Sequence, residues 1–339
     1  SPITLPQSAL GTVWGTAYSK QAQRIFTSAF MKRQVGFGPM GSGGIYMLEP
    51  TVGSFNVTPF YDMDTAGYRT RAAAGAIAYG AGSSFTITGG TIIDYNGPID
   101  AASGFPEGLG VIGTNVDRGL PASKTADCND PAAFDQVGKV SLGDLEISDD
   151  GKFLFVMNLY DRKLYRLELN SATNPTGVIA VTSIALPAIA VTNGEIRPFA
   201  VSYHRGKLFV GAVASGENGG TVVHNGATDL YAYVWEMTDP NGAATFNATP
   251  ILSIPLNYQK GYPIQGLNSV AQRLWHPWSK NTANTFGGGE FTWVSPMLSN
   301  IEFSDRGDMI LDYFHTGCHQ HAYNNYKNLT GAVAAQYDV

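Results

Sequence analysis

Charge is scarce in this chain. Asp, Glu, Lys and Arg make up 14% of its 339 residues, against about 25% in ordinary soluble proteins. There is no run of Lys or Arg and the net charge is −6, which excludes the basic stripe that nucleic-acid binding needs. No apolar stretch reaches the ~18 residues of a membrane-spanning helix, and the longest small-residue run, Ala72 to Ala81, is too short. Cysteine is nearly absent. Cys128 and Cys318 permit either two free thiols or one disulfide, which would close about 190 residues and contribute at most roughly 5 kcal/mol. No nucleophile elbow, P-loop or dinucleotide fingerprint occurs, and no segment keeps helical periodicity beyond a turn or two.

What is abundant is Gly (40 residues) and aromatic residues, with 17 Tyr and 17 Phe, a composition that suits turns and strands. One phrase occurs twice without a gap. Leu142 to Met157 reads LGDLEISDDGKFLFVM and Leu298 to Tyr313 reads LSNIEFSDRGDMILDY. Each is an alternating strand, an Asp-x-Gly turn and a second apolar strand, so the phrase predicts a repeated β-hairpin. Weaker copies start near residues 13 and 198. Three hairpins are followed by a third strand in which an aliphatic residue precedes Tyr: Ile45-Tyr46, Leu164-Tyr165 and Leu230-Tyr231. Fourth strands are expected at Phe55 to Tyr61, Val178 to Leu186 and Pro250 to Leu256, and a further hairpin at Thr86 to Tyr95. Four antiparallel strands followed by a restart describe a propeller blade. The prediction is all-β: one β-propeller domain over 1–339, of six or seven four-stranded blades with loop insertions. An insertion or degenerate blade falls at about 64–141. A β-sandwich is the rival fold.

The phrases FMKRQVGFGPMGSGGIYMLEP (30–50), VGKVSLGDLEISDDGKFLFVMNLYDRKLYRLEL (137–169), IRPFAVSYHRGKLFVGAVASGEN (196–218), DLYAYVWEM (229–237) and PMLSNIEFSDRGDMIL (296–311) carry a resemblance. In this order the chain resembles the propeller-like N-terminal region of large secreted bacterial surface proteins, the SdrD-B-like-domain-containing proteins. The resemblance implies a secreted, extracellular or cell-surface propeller and carries no activity. The segment Phe314 to His321 departs from the Gly/Asp/Arg-rich stretch expected there. The start at Ser1 rather than Met fits a removed signal peptide or an excised piece.

In a propeller the loops after each second strand share one face with the loops that enter each blade. This gathers Lys32, Arg33, Asp161, Arg162, Glu217, His224, His315, His319 and His321 on one rim, with Arg33, Asp161, Arg162 and Glu217 as candidate ligand-binding residues. His315, His319 and His321, beside Cys318, are candidate metal ligands, since imidazole and thiolate suit Zn²⁺ or Cu. Their spacing matches no standard zinc signature, and a polar loop is the competing reading. The Asp-x-Gly turns hold too few oxygens for a full Ca²⁺ site and read as turns. Glu146 and Glu302 occupy equivalent repeat positions, which favours a structural role over acid–base chemistry. Trp275 and Trp278 either stack on sugars or pack beneath their loop. No cofactor is expected, with Ca²⁺ or Zn²⁺ the alternatives.

The expected function is structural or adhesive: a surface or extracellular module, capable of self-association or of meeting cell-envelope or glycan partners. Its N-terminal arm, Ser1 to Leu10, is a candidate docking element. A ligand-binding, glycan-binding or hydrolytic propeller, metal-assisted through the histidines, is the alternative.

Overall fold

The computed structural model describes residues 4–71, 84–87, 91–94, 112, 114–116, 118–123, 126, 128–218, 229–260, 270–279, 285–286 and 291–321. Strands dominate these residues, and helix is limited to short segments of three to six residues. A short helix, α1 (Gln7–Leu10), leads into the first sheet, formed by β1 (Val13–Ser19), β2 (Arg24–Ala29), β3 (Gly44–Thr51) and β4 (Ser54–Asp62) in the order 1-2-3-4. A hairpin of β5 (Ser84–Ile87) and β6 (Thr91–Asp94) follows. A 3₁₀ turn (Pro131–Gln136) then precedes the second sheet: β7 (Leu142–Ile147), β8 (Phe153–Asn158), β9 (Lys163–Leu169) and β10 (Val178–Ala185), again in chain order.

The third sheet runs β11 (Ile196–His204), β12 (Lys207–Ala214) and β13 (Tyr231–Thr238). Both β14 (Thr245–Phe246) and β15 (Leu252–Pro255) pair with β13. After α2 (Val270–Arg273) and the pair β16 (Thr285–Phe286) and β17 (Phe291–Thr292), a two-stranded sheet is made by β18 (Pro296–Phe303) and β19 (Met309–His315). It ends in α3 (Gly317–Gln320). All four expected hairpins form, as do the three Tyr-bearing third strands and the strands expected beyond them. The fold is all-β, built from antiparallel meanders.

The hairpins share a finer feature than their turns. Each first strand carries an extra residue against its partner, between Val13 and Thr16, Leu142 and Leu145, Pro198 and Val201, and Leu298 and Asn300. A bulge bends its strand and increases local twist. These bent strands pack against one another in chain order, β1 on β7, β7 on β11 and β11 on β18. Their approach demands small side chains. A Cβ on Gly15 would lie 2.5 Å from the Leu145 nitrogen, so no larger residue fits without moving β7. Side chains then tie sheet to sheet. Ser28 Oγ donates to the Gly143 carbonyl at 2.8 Å, Ser141 Oγ to the Ala29 carbonyl at 2.9 Å, and the Val201 amide to Asp144 Oδ2 at 3.0 Å.

The core fills the wedges between sheets. Phe26, Ile45, Leu142, Leu154 and Leu167 pack between the first two sheets. Phe155, Phe199, Phe209, Trp235 and Leu298 belong to the larger cluster shared by the second and third sheets and the β18–β19 pair. Trp235 is fully buried, and an aromatic side chain of that size removes on the order of 150–250 Å² from water.

Candidate functional site

The loop segments at the ends of the second strands converge around the 3₁₀ turn at 131–136, and the charges gathered there face inward. Arg33 follows β2 and is fully buried. Its Nε donates to the Asn129 carbonyl at 2.9 Å, Nη1 to the Gln320 carbonyl at 2.9 Å and Nη2 to Asn129 Oδ1 at 3.0 Å. Its backbone nitrogen donates to the His319 carbonyl at 2.9 Å. Burial lowers the guanidinium to about 10, against the attraction of Asp130. Asp130 itself grips Arg118 through Nε at 3.1 Å and Nη2 at 2.6 Å, both side chains being fully buried. Such two-point contacts are the strong form of the ion pair.

The same turn presents Asp135 to a second network. Lys139 Nζ lies 2.6 Å from Asp135 Oδ1 and 2.6 Å from Glu217 Oε2, and Arg197 pairs with the other oxygen of Glu217. Burial opposes the charge on Lys139, but Asp135 and Glu217 overcome it and raise its affinity for the proton. Burial would likewise raise Glu217, yet Lys139 and Arg197 hold it well below the usual carboxylate range. Gln320 closes the assembly by donating to the Phe134 carbonyl at 2.9 Å and the Ser279 carbonyl at 3.2 Å.

Four residues expected to meet a ligand are therefore placed in different settings. Arg33 and Glu217 sit inside buried ties between loops. Asp161 is half-buried and accepts from the Tyr165 hydroxyl and the Lys163 amide, and burial raises its pKa. Arg162 pairs with Glu195 in solvent. His224 lies outside the described residues.

The three candidate metal ligands have different surroundings. His315 Nδ1 accepts from the Ser295 and Gly317 amides at 3.2 and 3.1 Å, and burial lowers its pKa to about 3. His319 is lodged among the rings of Trp14, Phe30 and Phe314, with centroids 4.5–5.3 Å away, and burial lowers it to about 3 as well. His321 packs on Phe134. Among the described residues no three His, Cys, Asp or Glu side chains converge on one point. Of the two readings of the cysteines, the structure draws no disulfide: Cys128 is buried, Cys318 is half-buried, and no bond joins them. The Arg33 guanidinium lies between their segments, bonded to the carbonyls of Asn129 and Gln320. Burial pushes Cys318 up to about 11.

The Asp-x-Gly segments are turns, as expected. Ser148 Oγ bonds Asp150 and accepts from the Phe153 amide, and Ser304 bonds Asp308 in the same manner. Trp275 and Trp278 are buried, which is the packing alternative. Sequence reasoning missed Arg118, Asp130, Asp135, Lys139 and Arg197. Their signal was their rarity: in so uncharged a chain, several charges within 118–139 mark a place where charges are paired.

An open concave feature lies beside the first sheet. A cavity of ≈ 380 Å³ is lined by Phe37, Met40, Asp62, Asp64, Arg71 and Asn115 among others. Its carboxylates are held by the chain itself: Asp62 accepts from the Asp64 amide and the Thr65 hydroxyl, and Asp64 from Ser42 and Thr70.

No protein-family model matches the chain. It is similar to three Dictyostelium discoideum proteins. These are Colossin-D, 23% identical over 252 residues (74% of this chain, 20% of that protein), and Colossin-A, 21% identical over 306 residues (89% and 2%). The third is Colossin-C, 26% identical over 178 residues (52% and 16%). The matched region thus spans a small fraction of each relative's length. A solved structure, a putative 6-phosphogluconolactonase from Bacteroides uniformis ATCC 8492, aligns over 93% of this chain and 86% of its own at 10% identity. Its TM-score of 0.22 is too low to support a fold or a function.

Proposed function

We propose that the chain is a propeller module of an extracellular or cell-surface protein, with a structural or adhesive role. In this reading the bulged first strands line a central axis, the meanders are blades, and six or seven blades complete the ring. The observation that carries the role is the inward pairing of the loop-face charges. Arg33, Arg118, Lys139, Arg197 and Glu217 tie loops together, so this face acts as a clamp. The low charge, the resemblance to secreted bacterial surface proteins and the small share that the matched region takes of its long relatives support a module within a larger chain. The reading needs no cofactor.

Electron microscopy of the native particle tests it, together with a glycan array. A ring of six or seven blades that self-associates or retains envelope glycans is the expected result. A monomer that retains no glycan, or a sandwich-shaped particle, overturns the proposal. A second reading, small-ligand binding, is favoured by the cavity at Asp62, Asp64 and Arg71, whose volume falls within the range of ~300–1,000 Å³ usual for ligand pockets. Selective binding of a small polar ligand, lost on Arg71→Ala, would favour it.

A further inference from the structure

The second charged network holds more than an ion pair needs. Asp135 lies in the last turn of the 3₁₀ segment. Gly138 follows with φ 75°, and a Cβ there would sit 2.7 Å from the Trp278 ring. The chain therefore turns sharply at a position open only to glycine, and the Lys139 side chain returns over Asp135. The two side chains are 3% and 6% exposed, and Glu217 on the opposite side of Nζ is 2% exposed. A primary amine is thus held in hydrogen-bond contact with one carboxyl group while a second carboxylate faces the same nitrogen, away from water.

We propose that Lys139 and Asp135 condense into an intramolecular amide, with Glu217 as the proton carrier. The steps balance without any added reactant. The Lys139 ammonium passes a proton across its 2.6 Å contact to the Asp135 carboxylate, giving a neutral amine and a carboxylic acid. The nitrogen lone pair attacks Cγ of Asp135. Glu217 takes a second proton from the nitrogen and delivers it to the departing hydroxyl. The C–O bond breaks, water leaves, and the N–C bond remains as an amide.

Three features favour this chemistry. Fixed contact turns a bimolecular condensation into a unimolecular one, which is worth orders of magnitude in effective concentration. The product removes two charges from a dry interior, where each is costly. Arg197 balances Glu217 before and after, so the reaction consumes one buried pair and leaves the other intact. Asp135 and Glu217 favour the ammonium form, so the reactive amine arises only by the proton transfer within the cluster, and slow maturation follows. A one-turn separation, i to i+4, brings the two side chains within reach of each other.

The inference is independent of the proposed function and is read by mass. The purified, denatured wild-type protein is expected to weigh one water less than its sequence. Trypsin is expected to leave the chain uncut after Lys139, releasing residues 125–152 as one peptide that also lacks one water. Lys139→Arg is expected to restore the full mass, and Glu217→Gln to leave most molecules at full mass. A wild-type protein of full sequence mass that is cleaved after Lys139 overturns the proposal, and this measurement needs no variant to fold.

Discussion

The two copies of the repeated phrase end in different circumstances. Both make a bulged first strand, a Ser–Asp-stabilised turn and a second strand. In the copy at 142–158 the second strand, β8, is buried along nearly its whole length and continues into β9 and β10. In the copy at 296–315 the second strand, β19, alternates between half-buried and exposed, and among the described residues it pairs only with β18. The same division appears at the bulge. Asp144 and Asn300 each accept from the next residue's amide through Oδ1, at 2.9 and 2.8 Å. Asp144 then reaches across to Val201 in the next sheet, whereas Asn300 turns back to Glu302 in its own strand. The repeat thus specifies a hairpin locally, and the neighbours decide what the hairpin is worth.

The sharpest way to break this comparison is to truncate the second strands. Phe155→Ala in β8 removes a fully buried ring and is expected to cost about 3–5 kcal/mol. Ile310→Ala in β19 removes a side chain that is half exposed, and its cost should stay below about 1 kcal/mol. Denaturant titration of both variants checks the difference, and equal losses would show that β19 is covered as well as β8.

The bulge residues come next. Asp144→Ala strands the buried Val201 amide and should cost about 2–3 kcal/mol. Asn300→Ala loses a local bond and should cost about 1 kcal/mol. Thermal unfolding should rank the two variants in that order.

A pH series sharpens the same pair. Burial pushes Asp144 up to about 8, and burial pushes Glu146 up to about 7, with Glu302 adding to the shift. Unfolded carboxyls release their protons near pH 4, so between pH 4 and 8 the folded state holds more protons than the unfolded state. Stability from these groups is complete below pH 4 and falls as pH rises through 7 and 8. Asp144→Asn, which installs the twin's residue, is expected to flatten that fall. An unchanged slope would remove Asp144 as its source.

The smallest difference lies at the turns. Gly151 and Gly307 have φ 71° and 91°, so Ala at either should cost about 1 kcal/mol. At Gly151 the new Cβ would also lie 3.0 Å from Gln21 Oε1 and press on a side chain that bonds the Asp149 carbonyl. A further loss of about 1 kcal/mol is expected there.

The hairpins were legible because their signals are local: alternation, an aliphatic residue before Tyr, and Asp-x-Gly at the turn. The shared bulges were not, since no residue type marks an extra position and only the partner strand exposes it. The clamp was half legible. Arg33 and Glu217 could be placed on the loop face by topology. Arg33's partners Asn129 and Asp130 and Glu217's partner Lys139 lie far away in sequence, in a segment without periodicity. Arg197 stands at the start of β11 with nothing to mark it as charge-paired. For the histidine cluster the sequence leaves a metal site and a polar loop open, because spacing alone does not say where a ring packs; His315, His319 and His321 meet different neighbours.

The Arg33 contacts span nearly the entire described chain, joining residue 33 to residues 319 and 320. A pull between Phe30 and His321 would load the Arg33 bonds directly, which makes that buried guanidinium a mechanical latch between the loop after β2 and the turn after β19. Its rupture would let α3 and β19 peel away first, while the buried sheets still held.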